Sequence, residues 1–75
     1  MPKKVLVADD SLTIQKVIEL TFSEENYEVV SFSNGRDALD FLKNERADIL
    51  LADVVMPELN GYDLCREAKI LYPNL

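Results

Sequence analysis

Two kinds of hydrophobic spacing alternate along this chain. Val5-Leu6-Val7-Ala8 and Ile49-Leu50-Leu51-Ala52 are unbroken apolar runs, the pattern of strands covered on both faces. They predict strands over Lys4 to Ala8 and Ile49 to Ala52. Glu28 to Ser33 is mixed, with Val30 and Phe32 alternating against polar neighbours, and predicts a strand near a sheet edge. Elsewhere the apolar residues recur at steps of three and four: Ile14, Val17, Ile18, Thr21 and Phe22; then Ala38, Leu39, Phe41 and Leu42; then Leu64, Cys65, Ala68 and Leu71. Each set predicts one stripe of a helix laid on a sheet.

The boundaries follow from turn chemistry. Ser11 or Asp10 is placed to cap the first helix. Asn34-Gly35 would signal a hairpin before another strand, but helical spacing follows, so it reads as a strand-to-helix turn. Val54 to Asn60 is irregular, and Gly61 opens the third helix, where it serves a backbone angle or a close approach. Met56-Pro57 either fixes this loop or only terminates the strand. The order strand, helix, strand, helix, strand, helix is that of an α/β protein with a doubly wound parallel sheet and right-handed crossovers. Leu6-Val7-Ala8-Asp9 and Leu50-Leu51-Ala52-Asp53 are nearly the same words, yet the segments after them share no pattern. The likeness reflects two core strands ending at one sheet edge, not a repeat.

That edge carries the candidate chemistry. With strand order 2-1-3, the winding reverses between the first and third strands, where open α/β sheets bind ligands. Asp9, Asp10 and Asp53 all fall there. Two unit charges about 4 Å apart repel by roughly 4 kcal/mol at an effective dielectric near 20, so three clustered carboxylates call for a cation. Magnesium suits the donors, since it takes one or two carboxylates, keeps waters and leaves room for a phosphate oxygen. The residues therefore read as a metal-dependent phosphoryl site in which an aspartate can be the nucleophile. Asp53, alone at the end of its strand, suits that role; the adjacent Asp9 and Asp10 suit the ion. Taken singly, Asp10 could merely cap a helix and Asp53 begin a turn. Three acids at matched strand ends favour the site.

Composition narrows the setting. Seventy-five residues allow one domain, and a chain this short buries only about 60% of the surface it exposes when unfolded. The 14 acidic residues outnumber the 8 basic ones for a net charge of −6, and the basic residues are scattered, which argues against binding to nucleic acid or an anionic membrane. The lone Cys65 excludes an internal disulfide and reads as a small core residue. Met1-Pro2-Lys3-Lys4 resembles the start of a leader, but Asp9 and Asp10 interrupt the apolar run that follows. No run reaches membrane-spanning length, and a reduced, cytoplasmic setting is expected.

These residues resemble the receiver domains of bacterial two-component response regulators. The resemblance rests on Val5-Leu6-Val7-Ala8-Asp9-Asp10, Asn34-Gly35 with Ala38-Leu39, Asp48 through Asp53, Met56-Pro57 and Asn60-Gly61-Tyr62, and it spans essentially the whole chain. It implies a flavodoxin-like sheet of order 2-1-3-4-5, of which 2-1-3 is present, and hence a receiver domain over 1–75 that stops after the third helix. It further implies that Asp53 accepts a phosphoryl group from a histidine kinase, a phosphotransfer protein or a small phosphodonor. Asp10 and Asp53 would ligate Mg2+ through their side chains, Val55 through its backbone carbonyl, and Asp9 through a metal-bound water. Such a domain is a switch for an output partner rather than an enzyme, catalysing only its own phosphorylation and dephosphorylation. Val55 would stand near the phosphoryl group and, unable to bond an attacking water, would slow its loss.

The resemblance also implies later strands carrying a hydroxyl residue and a lysine, and without them the third strand keeps an open edge. A longer parent chain or a swapped second chain is the expected remedy. Two other functions compete. A phosphohydrolase with an aspartate nucleophile on the first strand wants an acid two positions on, where Ser11 and Leu12 stand. An interaction module that kept the fold without the chemistry would have no use for clustered, mutually repelling acids.

Overall fold

The apolar run at the start of the chain forms the middle of the sheet, because only a central strand can bury side chains on both faces. In the computed structural model, which describes residues 3–23, 26–56 and 58–75, this strand is β1 (Lys3–Ala8), with Val5, Leu6, Val7 and Ala8 all buried. β2 (Tyr27–Phe32) and β3 (Ile49–Ala52) lie on either side of it, both parallel, giving the order β2-β1-β3. The second strand starts and ends one residue earlier than its alternation suggests. The readings that touch Met1-Pro2 and Pro57 lie outside the described residues.

Three helices cover the sheet: α1 (Leu12–Phe22), α2 (Gly35–Asn44) and α3 (Gly61–Leu71). Each begins at a polar cap whose side-chain oxygen accepts from a backbone N–H: Ser11 from Ile14, Asn34 from Asp37 and Asn60 from Asp63, which satisfies a donor that the first helical turn leaves unpaired. The first cap is Ser11, which removes the reading of Asp10 as the cap.

The main core lies on the face bearing Leu6 and Ala8. There Ala38, Leu39 and Leu42 of α2 meet Leu64 and Ala68 of α3, with Ala47 and Met56 closing the ends. Phe32 and Phe41 pack with ring centroids 5.5 Å apart, and the Tyr72 hydroxyl donates to the Leu42 carbonyl at 2.6 Å, tying the end of α3 to α2. Gly35 is required where α2 starts, because a Cβ there would strike the Leu59 carbonyl oxygen.

The opposite face is more thinly covered, since α1 packs on β1 and β2 and Leu51 of β3 is 37% exposed. β3 is thus buried less completely than its apolar run predicts. The apolar stripe of α1 also needs correction. Ile14 and Val17 are 43% and 52% exposed, and Thr21 is exposed with its hydroxyl bonded back to the Val17 carbonyl. Ile18 and Phe22 of the predicted stripe do turn toward the sheet, and the residue that joins them there is Gln15. Cys65 likewise is exposed, not core. It sits one position past buried Leu64, about 100° further round the helix, and lines a groove with Ile49, Leu50 and Lys69.

Leu42 is fully buried between α2, α3 and the sheet. The Leu42→Ala variant should lose roughly 2–5 kcal/mol, read as a fall in the urea midpoint by circular dichroism. The same change at Leu20, 65% exposed, should leave the midpoint nearly unchanged.

Candidate metal centre

The register of the sheet sets this site. Ala8 pairs with Ala52 across β1 and β3, so the chain leaves both strands at the same level, and neighbouring strands lie only about 4.8 Å apart. The next residues are Asp9 and Asp53. The Asp53 N–H donates to the Ala8 carbonyl at 2.8 Å, and the Asp9 N–H donates to the Phe32 carbonyl at 3.0 Å, so the ladder carries one step past each strand before the chain turns away. Asp9, Asp10 and Asp53 each offer a carboxylate oxygen, and those atoms lie within 4.8 Å of one another.

The three acids are held differently. Asp9 is half-buried, and its Oδ1 accepts from the Ser11 N–H at 2.8 Å, a local Asx turn that leaves its second oxygen for other work. Asp10 is exposed and Asp53 half-buried; neither carboxylate takes part in a hydrogen bond or ion pair among the described residues. The basic side chains that do pair with acids lie elsewhere. Lys4, for example, bonds Glu45 at 2.7 Å and approaches Glu28 at 3.8 Å, at the opposite, amino-terminal end of the strands. The Glu45 hydrogen bond holds the Lys4 ammonium above the usual lysine range.

Among the described residues, then, three carboxylates converge without a protein cation between them. Hard oxygen donors, two of them unengaged, fit a hard divalent ion and poorly suit a soft one. A shallow pocket beside the acids, lined by Val7, Ala8, Ile18, Leu51 and Ala52 as well as Asp9 and Asp53, leaves room on the other side.

The loop after β3 is kept close by its backbone. The Gly61 N–H donates to the Val54 carbonyl at 3.1 Å, and a Cβ at Gly61 would collide with the Asp53 carbonyl oxygen. Close approach, and no unusual angle, is therefore what this glycine supplies; its φ is not positive. Met56 is buried in the core while Val55 stands 78% exposed, so the loop is anchored just past Val55. Glu58 takes a left-handed φ of 69°, a conformation costing a non-glycine residue about 1–2 kcal/mol. Of the four residues the sequence nominates, three are thus brought together by their side chains; Val55 lies two positions beyond Asp53 on the anchored loop. Sequence reasoning missed Gln15, whose buried amide reaches the Asp9 carbonyl at 2.6 Å. A lone neutral amide inside an apolar helical pattern was its only signal.

Comparison with known proteins agrees with this geometry. The model of the response regulator receiver domain family matches residues 5–75. A probable transcriptional regulator, ycf27, of Cyanophora paradoxa is 39% identical over 67 residues, which make up 89% of this chain and 28% of that protein. The chemotaxis response regulator CheY4 of Vibrio cholerae superposes with a TM-score of 0.90 at 31% identity, over 97% of this chain and 62% of that one. The receiver domain of a sensor histidine kinase from Pseudomonas aeruginosa, described with a magnesium ion coordinated in its active-site cleft, superposes with a TM-score of 0.85 at 28% identity, over 93% of this chain and 57% of that one. The chain thus spans less than two thirds of each of these proteins.

Removing one member of the cluster tests its electrostatics. Asp10→Asn should raise the melting temperature of the metal-free protein by on the order of a few degrees, through relief of repulsion, and should abolish the further rise that millimolar magnesium gives the parent. Differential scanning calorimetry with and without the ion reads both effects.

Proposed function

The chain belongs to the response regulator receiver domain family, and from that premise we propose that it is the phosphoacceptor of a two-component signalling system, with Asp53 as the residue phosphorylated. The observation that carries this reading is the convergence of Asp9, Asp10 and Asp53 at the ends of adjacent parallel strands. Asp53 is the acceptor because it follows its strand alone and its carboxylate takes no hydrogen bond among the described residues. An oxygen of that carboxylate attacks phosphorus as the bond to the donor breaks, the imidazole of a phosphohistidine or the carboxylate of a small acyl phosphate leaving. The transition state is loose, so the protein's part is chiefly positioning and charge compensation.

Asp9, Asp10, Asp53 and the Val55 carbonyl are the groups that would hold Mg2+. When bound, the ion offsets the charge of the carboxylates and of the transferred phosphoryl oxygens. Asp9 orients its free oxygen through the Ser11 turn, and Gly61 keeps the loop that bears Val55 against the end of β3. No substrate is turned over; the chemistry is confined to the chain's own phosphorylation and its reversal, and its consequence is a change in what an output partner binds. A histidine kinase or phosphotransfer protein is the donor partner, and the setting is cytoplasmic. No helix among the described residues is long and apolar enough to cross a membrane. In the receiver domain assigned to 1–75 the outer edge of β3 has no strand partner among the described residues, and that edge, beside exposed Leu51, is where a further strand, of this chain or of a second one, would add to the sheet.

The phosphohydrolase reading loses its general acid. Ser11 at the required position is committed to capping α1, and Leu12 is 72% exposed and apolar.

Incubation of the full-length protein with acetyl phosphate and magnesium should add one phosphoryl group, base-labile and mapped to Asp53 by mass spectrometry; Asp53→Asn should take none under the same conditions. A phosphoryl group on another residue, or none on the parent, contradicts the assignment. Val55→Asn should shorten the lifetime of the phosphorylated state severalfold, by giving an attacking water a hydrogen-bond partner, measured as the decay of the phosphoprotein after donor removal.

A further inference from the structure

One buried polar side chain lies beside the three acids without being one of them. Gln15, on the sheet-facing line of α1, is 9% exposed, and its carboxamide nitrogen lies 2.6 Å from the Asp9 carbonyl oxygen, 3.4 Å from the Phe32 carbonyl oxygen and 3.3 Å from Ser33 Oγ. A carboxamide has two protons to donate. The short contact to Asp9 takes one, and Phe32 and Ser33 share the other. Since the Phe32 carbonyl also accepts the Asp9 N–H at 3.0 Å, the peptide groups on both sides of the Asp9 Cα are fixed. The side chain is fixed too, through Ser11.

We propose that Gln15 is a positioning residue for the metal centre: by bridging the ends of β1 and β2 to α1 it sets the direction in which the Asp9-Asp10 pair leaves the sheet. The inference rests on the reading that a divalent ion sits among Asp9, Asp10 and Asp53. β1 ends at Ala8, and among the described residues the Asp9 N–H is what continues the ladder to β2 beyond it. Gln15 is the partner that the Asp9 carbonyl has among the described residues, and without it a half-buried carbonyl loses its donor. The chain from Asp9 to Ser11 would then be free to rotate, carrying the paired carboxylates away from Asp53. Groups that orient metal ligands in this way affect ion affinity more than they affect overall stability.

The test uses the full-length protein and three variants. Gln15→Met keeps the length of the side chain and removes its donors. Phe22→Leu weakens the far end of α1, where Phe22 meets Tyr27 edge-on at 5.0 Å between centroids, and serves as a control for destabilisation of the same helix away from the acids. Asp53→Asn reports loss of the ion site itself. Magnesium affinity is read from the amide resonances of Asp9, Asp10 and Ser11 by NMR titration, at a temperature where every variant is folded. Gln15→Met should weaken magnesium binding by about tenfold, whereas Phe22→Leu should lower the melting temperature and leave the affinity within a factor of two. Equal affinities in Gln15→Met and Phe22→Leu overturn the proposal.

A second measurement needs no variant. The side-chain amide protons of Gln15, assigned by through-bond correlation to its own backbone, should exchange with solvent far more slowly than those of exposed Asn44. Exchange as fast as Asn44 overturns the proposal even if Gln15→Met does not fold. If the parent's resonances do not respond to magnesium while the Gln15 amide is protected, the metal reading fails and the bridging contact stands by itself.

Discussion

Three negative charges are brought together by backbone pairing, and most of what this small domain does follows from that conflict. The register Ala8 to Ala52 places Asp9 and Asp53 at one level on neighbouring strands. That register is itself a product of burial. Leu6 and Ala8 must face the α2–α3 core while Val5 and Val7 face the other side, and a slip of one residue would exchange the two sets, putting β-branched Val5 and Val7 where Leu6 and Ala8 fit the core. The hydrophobic core therefore enforces an electrostatic arrangement that would not form by its own energetics. That repulsion is what a divalent cation among the three carboxylates would relieve.

Around the acids, the surrounding contacts are unequal. On the β1 side, Asp9 is tied by the Phe32 carbonyl, the Gln15 amide and the Ser11 N–H. On the β3 side, the backbone is held instead by a missing side chain: Gly61 lets the first turn of α3 sit against the Asp53 carbonyl, and Met56 anchors the intervening loop in the core. Asp10 and Val55, both exposed, project from these fixed supports. Fixed supports with two exposed residues at the rim are consistent with the proposed role of the site.

Much of this was legible in the residues. The two unbroken apolar runs marked buried parallel strands, helical spacing after Asn34-Gly35 and Gly61 marked the crossovers, and the acids at matched run ends marked the site. What the sequence concealed has specific causes. On α1, the predicted stripe is split. Ile18 and Phe22 of the predicted stripe face inward, but beside them stands Gln15 and not Ile14 or Val17, because Gln15 satisfies carbonyls at the strand ends that no apolar side chain could. On α3, Cys65 shares the helical spacing of the core residues but lines a groove with Ile49 and Leu50 of β3, the strand whose outer edge has no partner among the described residues. Both misreadings arise where a polar contact or a missing neighbour overrides hydrophobic periodicity.

The central claim is that a divalent ion is held at one place by Asp9, Asp10 and Asp53, as distinct from being drawn to an acidic surface with a net charge of −6. Substoichiometric Mn2+, a paramagnetic stand-in for magnesium, distinguishes the two by NMR line broadening. Resonances of Asp9 to Ser11 and Asp53 to Val55 should vanish first, while those of Glu28, Glu45 and Asp48 at the opposite end of the strands persist. Broadening spread evenly over both ends would contradict it.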